Sequence, residues 1–427
     1  MRNQDARRVA VLGGVRIPFC RAHTAYRNES NLAMMSATLQ ALVARFGLDG
    51  QRLGEVALGA VIKHSRDWNL AREATLSSGL AAETPAIDMQ RACGTSLSAA
   101  IAIASKISVG LIDAGIAGGT DSISDMPVVY PDAYRSLLLE SARGETLLQK
   151  LEPWLKLRPK HFKPVFPVVV EPRTGLSMGQ SMEITAKQWG ISRAAQDELA
   201  LASHRNAAQA YADGFYNDLV VAHAGVTRDN NVRADTSLEK LARLKPVFDR
   251  SPQGTLTAGN STPLTDGASA VLLGSEQWAA ERSLKPLAYI TYAREAAVDF
   301  VSREGLLMAP AYAVSAMLAE AKLKLQDFDF YEIHEAFAAQ TLATLAAWES
   351  AEFCRTKLGR DAPLGAIDRS KLNVKGGSVA IGHPFAATGT RLLGALAKLL
   401  AQNGRGRGLI SVCTAGGMGV TAILEAA

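Results

Sequence analysis

Cysteine is scarce in this chain of 427 residues: four, at positions 20, 93, 354 and 413, with no Cys-x-x-Cys spacing among them. That pattern excludes a disulfide framework and a cysteine-rich zinc site, and leaves reduced thiols whose meaning depends on their surroundings. Aromatic residues are few, at 6%, and the 20% of charged residues leave a net charge of only +5. So small a balance does not mark a nucleic-acid binder, although it suits anionic small molecules. Long apolar runs are missing as well. The longest uncharged stretch, Gly408 to Leu424, contains four glycines and falls short of a membrane-spanning helix. From Met1 to the strand-like Val9–Leu12 there is neither a signal-peptide core nor an Arg/Ser-rich transit stretch, so the expected compartment is the cytoplasm.

What the chain does have is a globular composition, 48% hydrophobic, with 36 glycines that imply tight turns and close backbone approaches. Its length predicts two or three domains. Val9–Leu12 reads as a buried strand. Leu32, Met35, Leu39, Leu42, Val43 and Phe46 form one face of a helix that Gly47 closes. Strand 56–61, a helix near 69–80, the apolar run after Cys93 and a strand at 114–117 continue the alternation, which predicts a parallel sheet with helices on its faces. From about 125 to 247 the alternation lapses and Pro, Arg and Lys rise, as in an insertion. Within it, Trp154–Lys163 is basic and interleaved with apolar residues, fitting a solvated loop, a site for acidic groups, or a docking face for a membrane or partner. Ser192 caps a helix running to about Asp213. Strand and helix signals then resume at 270–273, 287–292, 309–320, 328–333, 336–348, 388–402 and 409–413. The C-terminal part thus repeats the N-terminal one, and in each a Gly-containing polar turn opens the long helix.

The stretch Gln90-Arg91-Ala92-Cys93-Gly94-Thr95-Ser96 precedes a small-residue helix, which would place the Cys93 thiol at a helix N-terminus. Unpaired N–H groups and the positive end of the dipole there favour a thiolate and predict a lowered pKa. Three C-terminal stretches join it. His334 lies at the strand-to-helix junction Tyr331–Phe337, the kind of junction where open α/β sheets place their sites. His383 lies in the Gly-bounded turn Gly376–Pro384, and Cys413 ends a strand that enters the Gly-rich loop Thr414–Gly419.

Together these stretches resemble the thiolases over nearly the whole chain. The resemblance rests on the Cys93 turn, His334-Glu335-Ala336-Phe337, Gly382-His383-Pro384, Cys413–Gly419, the segment Thr257–Ala268, and Ser177-Met178-Gly179 leading into the helix with Gln196 and Asp197. It implies a duplicated α-β-α-β-α layered α/β fold with an inserted loop domain, divided as 1–124 plus 248–283, 125–247, and 284–427. By the same resemblance Cys93 is the acylated nucleophile, His383 its base, and Cys413 the acid/base at the α-carbon of acetyl-CoA. His334, where many relatives have Asn, would help polarise the thioester oxygen, and the backbone N–H groups of Cys93 and Ala415 would hold the acyl oxygen. Met178, Ala258, Gly259, Asn260, Ser261 and Thr262 match the pantetheine channel, and the insertion between Arg143 and Arg173 is expected to meet the phosphates.

Coenzyme A and acyl-CoA are implied as substrates, with no cofactor and no metal. Relatives are homodimers or homotetramers, and some join a hydratase/dehydrogenase subunit. Two departures stand out: Ala415 where relatives usually have Gly, and Gly-Thr-Ser after the nucleophile. The His-Glu-Ala-Phe variant resembles the long-chain degradative and trifunctional-complex branch. The alternatives are a ketoacyl synthase-type condensing enzyme, which assays of malonyl against acetyl donors would separate, and a non-catalytic acyl-CoA or lipid carrier.

Overall fold

The computed structural model describes residues 6–427; the leading residues 1–5, whose lack of a targeting signal was read above, lie outside them. Ten strands build the sheet: β1 (Val9–Arg16), β2 (Cys20–Arg21), β3 (Glu55–Leu58), β4 (Ala86–Asp88), β5 (Ala114–Asp121), β6 (Thr265–Ser275), β7 (Ala288–Ala297), β8 (Phe330–Ile333), β9 (Arg407–Thr414) and β10 (Met418–Ala426). Their order is β4-β3-β5-β6-β1-β7-β10-β9-β8, with β2 beside β6. The two halves meet where β1 pairs with β7, Ala10 opposite Tyr289.

The sheet is mixed, which corrects the parallel arrangement read from the alternation. Only β4-β3-β5 and β8-β9 run parallel; β5-β6, β6-β1, β1-β7, β7-β10 and β10-β9 are antiparallel. The physical reason lies in the connections. A strand reached after a helical crossover returns parallel, whereas β6 arrives after the long excursion from β5, and β9 and β10 are joined by a short hairpin. That hairpin replaces the open loop expected at 414–419, with Gly416 and Gly417 at φ of 76° and 71°, a region that favours glycine.

Two helices form the centre, Thr95–Ser108 and Thr388–Asn403, each opening from one of the polar turns. Leu97, Ile103, Leu392 and Leu396 pack with Val271, Val412 and Val420 in one fully buried cluster drawing on both halves. On the other side of the strands the helix Asn31–Phe46 buries Met35, Leu39 and Leu42 in the first half, and Ala309–Ala321 and Ala338–Glu349 bury Val314, Leu318 and Leu342 in the second. The layers therefore run helix, sheet, helix, sheet, helix, with the sheet wrapped around the central pair. Gly389 lets the two central helices touch: a Cβ there would lie 2.3 Å from the backbone nitrogen of Leu97.

Between β5 and β6 the chain adds helices, including Met178–Gln188 and Arg193–Ala212, the latter capped by Ser192 as expected. The basic segment packs on its own neighbours, with the Trp154 indole donating to Ser141 and the Tyr134 ring between Trp154 and Phe162. Leu155 remains exposed on it, as do Leu147, Leu148 and Phe166 on the flanking chain. Among the described residues, no helix is long and apolar enough to cross a membrane.

Candidate active site

Cys93 sits two residues ahead of its helix, after a strained link: Ala92 has φ of 42°, rare for a residue with a Cβ. The Thr95 hydroxyl holds that link, accepting from the Arg91 N–H at 2.8 Å and donating to the Ala92 carbonyl at 2.7 Å. Ser96 accepts from the Thr390 N–H, tying the turn to the other central helix. The Gly-Thr-Ser departure thus supplies two internal braces. Gly94 allows the turn to approach the C-terminal hairpin, since a Cβ would meet Thr414 and Val420 at 2.8 and 2.9 Å.

The three C-terminal stretches converge on this turn. His334 follows β8, its N–H bonded to the Ser411 carbonyl, while His383 is held by its N–H to Thr265. The two rings lie 4.1 Å apart between centroids. One ligand-type atom each from Cys93, His334 and His383 lies within 4.8 Å of the others. Nδ1 of His334 pairs with Ser378 Oγ at 2.8 Å and Nδ1 of His383 with Thr388 Oγ1 at 2.6 Å. Both Nε2 atoms are buried and, among the described residues, have no partner. The Ala415 N–H reaches the Cys93 sulfur, the Ala336 N–H reaches the Cys413 sulfur, and the charges of the two thiols interact. Four residues scattered along the chain therefore converge on one small space, in which His334, His383 and Cys413 are buried and Cys93 is half-buried.

Burial dominates their ionisation. It pushes the Cys93 thiol up to about 12, against the Ala415 and Cys93 N–H groups, and nearby Asp121 adds to the rise. This reverses the lowered pKa expected from the helix N-terminus: loss of water outweighs the backbone dipoles. Cys413 is driven well above its ordinary value, first by burial and then by Cys93. Burial and the Arg391 cation bring His383 down to about 3, and burial, His383 and Arg391 take His334 well below the usual range. These directions favour neutral thiols and neutral imidazoles at rest.

Several supporting residues escaped the sequence reading. Glu335 is buried and accepts from Asn373 Nδ2 (2.6 Å), Ser203 Oγ (2.8 Å) and the Val379 N–H (3.1 Å), clamping the His334 and His383 loops together. Burial raises its pKa despite these donors. Glu171, from the insertion, accepts the Gly416 N–H and steadies the hairpin. Glu335 lies inside the His-Glu-Ala-Phe motif, yet its clamping role, like that of Glu171, depends on partners far away in sequence.

A cavity of about 550 Å³ adjoins the site, walled among others by Ala258, Gly259, Ser261, Thr262 and Val379. Thr262 bonds the Ala336 carbonyl through its N–H and hydroxyl, both at 3.1 Å. Asn260 instead braces the loop through Thr257 and Asp197, and Met178 packs in the apolar core of the second half; neither is among the residues lining the cavity. None of the lining residues comes from 143–173; the cations there are Arg21, Arg233 and Lys240, the last paired with Asp235.

A layered duplicated α/β fold that brings two thiols and two imidazoles to one site is the equipment of an acyl-transfer enzyme working through a cysteine. Comparison with known proteins gives the family. Residues 9–277 match the model of the thiolase N-terminal domain and 284–426 that of the thiolase C-terminal domain. A 3-ketoacyl-CoA thiolase of Pectobacterium carotovorum is 44% identical over 98% of this chain and 96% of its own, and one of Shewanella sp. (strain W3-18-1) is 42% identical over 99% and 98%. The crystal structure of the Bacillus anthracis acetyl-CoA acetyltransferase superposes with a TM-score of 0.83 at 30% identity, covering 100% of both chains. An Ascaris suum thiolase in complex with coenzyme A gives 0.82 at 26% identity, covering 99% of this chain and 100% of that one. The chain belongs to the thiolase family.

Proposed function

We propose that this thiolase cleaves 3-ketoacyl-CoA, and in reverse condenses acyl-CoA with acetyl-CoA, in fatty-acid β-oxidation. The observation that carries the reading is the meeting of Cys93, Cys413, His334 and His383 in one small space, with Cys93 half-buried and the other three buried. In the condensing direction Cys93 Sγ attacks the acyl-CoA carbonyl while His383 Nε2 takes the thiol proton. The N–H groups of Cys93 and Ala415 hold the oxyanion, and coenzyme A leaves with the proton of Cys413, which becomes a thiolate, while His383 keeps the Cys93 proton on Nε2. The Cys413 thiolate then takes the α-proton of acetyl-CoA, the Nε2–H groups of His334 and His383 polarise its thioester oxygen, and the carbanion attacks the acyl-enzyme; the Cys93 sulfur leaves and recovers its proton from His383.

The cavity beside Ser261 and Thr262 is the proposed pantetheine channel, and its Arg21 and Arg233 are the proposed phosphate contacts. R233A is expected to raise KM for coenzyme A with kcat little changed; an unchanged KM would remove Arg233 from that role. Coenzyme A and acyl-CoA are substrates in this account, with no cofactor. The four cysteines are free, in keeping with a reducing cytoplasm. A homodimer or homotetramer is proposed, together with a hydratase/dehydrogenase companion subunit. Turnover measured over a series of 3-ketoacyl-CoA chain lengths in both directions tests the function: thiolysis is expected at medium to long chains, and activity confined to acetoacetyl-CoA would move the enzyme out of β-oxidation.

A further inference from the structure

We propose that Ser378 and Arg391 are positioning residues that lock the His334 ring with its proton on Nε2, so that this imidazole faces the site as a hydrogen-bond donor. The inference rests on the acyl-transfer reading above and concerns how one of its groups is held. Arg391 Nη2 lies 2.8 Å from Ser378 Oγ, which lies 2.8 Å from His334 Nδ1. A guanidinium has donors only, so the hydroxyl must accept from Arg391. Its own proton then has one recorded acceptor, Nδ1 of His334. The opposite arrangement would leave a hydroxyl with two incoming donors and a buried proton with nowhere to go. With Nδ1 accepting, the ring's proton resides on Nε2, the buried nitrogen that has no partner among the described residues.

Arg391 is itself constrained. It is 4% exposed on the helix Thr388–Asn403, with Glu332 of β8 at 4.0 Å. Its charge also opposes a second proton on His334. The neighbouring histidine lacks this device: Nδ1 of His383 meets Thr388 Oγ1, which has no other side-chain partner among the described residues. That hydroxyl is free to accept from Nδ1–H, leaving a lone pair on Nε2 for the Cys93 proton. Two imidazoles a few ångströms apart are thereby given opposite duties, donor and base. The same network bears on the Cys93, His334 and His383 atoms as a metal set. Coordination would need a lone pair on His334 Nε2, where the network places a proton.

The test uses full-length enzyme labelled with [15N]histidine, with His334 assigned by its loss in H334N. Wild type is expected to show a protonated Nε2 and an unprotonated Nδ1 at His334; the opposite pattern would overturn the proposal. S378A is expected to redistribute the proton between the two nitrogens and to slow α-proton exchange of acetyl-CoA roughly 10- to 100-fold, with acylation of Cys93 far less affected. S378T should restore both, and R391K should do so in part, which covers the case in which S378A folds poorly. Equal losses in acylation and exchange with no rescue by threonine would reduce Ser378 to a merely structural part and refute the positioning role. Wild type that does not acylate at Cys93 would instead remove the underlying acyl-transfer reading, and the nitrogen spectrum would still judge the tautomer.

Discussion

Cys93 and His383 are displaced in opposite directions by the same lack of water, the thiol up to about 12 and the imidazole down to about 3. These shifts disfavour a resting thiolate-imidazolium pair, and in the proposed mechanism the proton crosses only as the sulfur attacks. The acylation rate should then stay level from roughly pH 5 to 8, because the usual histidine titration near 6.5 has moved to lower pH. A fall in kcat/KM centred near pH 6.5 would contradict this. Cys413→Ala should still accept an acetyl group on Cys93 but lose α-proton exchange, read by deuterium incorporation into acetyl-CoA. The convergence of the four side chains proposed to react was legible because each sits in a short motif. Ser378, Arg391, Glu335 and Asn373 were not read as parts of the site, since their roles exist only through contacts that the fold creates.

The strained link at Ala92 and the crossing at Gly389 decide where the Cys93 thiol sits. Ser96 joins the Cys93 turn to Thr390 at the crossing, so the two central helices act as one rigid block carrying both Cys93 and Thr388, the partner of His383. G389A would drive a methyl group into the backbone of Leu97, an overpacking cost of about 1–3 kcal/mol. Denaturant unfolding should show that loss, and kcat should drop with it; an unchanged midpoint would mean that the helices part freely. The long helices and most strands were legible from their apolar periodicity. The antiparallel middle of the sheet was not, because β10 follows Gly-Gly closely enough to read as loop, and because periodicity carries no strand direction.

Across the molecule, wrapping one sheet around the central helices takes the active site out of water, and folding therefore responds to pH. The contributions oppose one another. His204, beside the cavity, is lowered to about 4 by burial and then by Arg233, whereas burial raises Asp121 and Glu332 to about 7. A depressed histidine stabilises above its unfolded value near 6.5 and loses that contribution as pH falls toward 4. A raised carboxyl does the reverse, gaining as the pH falls below 7. Comparison of wild type with H204Q isolates the first effect: the wild type should lose on the order of 2–3 kcal/mol relative to the variant between pH 7 and 4. Parallel slopes would show that His204 titrates normally. The duplication was legible in the repeated turn-and-helix pattern; the continuous sheet that joins the halves was not, since β1 and β7 meet only in the folded chain.

The most direct measurement is mass spectrometry of the enzyme mixed with acetyl-CoA, quenched and digested. One acetyl group is expected on the peptide containing Cys93, absent from C93A and discharged by free coenzyme A. Acetylation that persists in C93A, or that coenzyme A cannot remove, would contradict the assignment of Cys93 as the nucleophile.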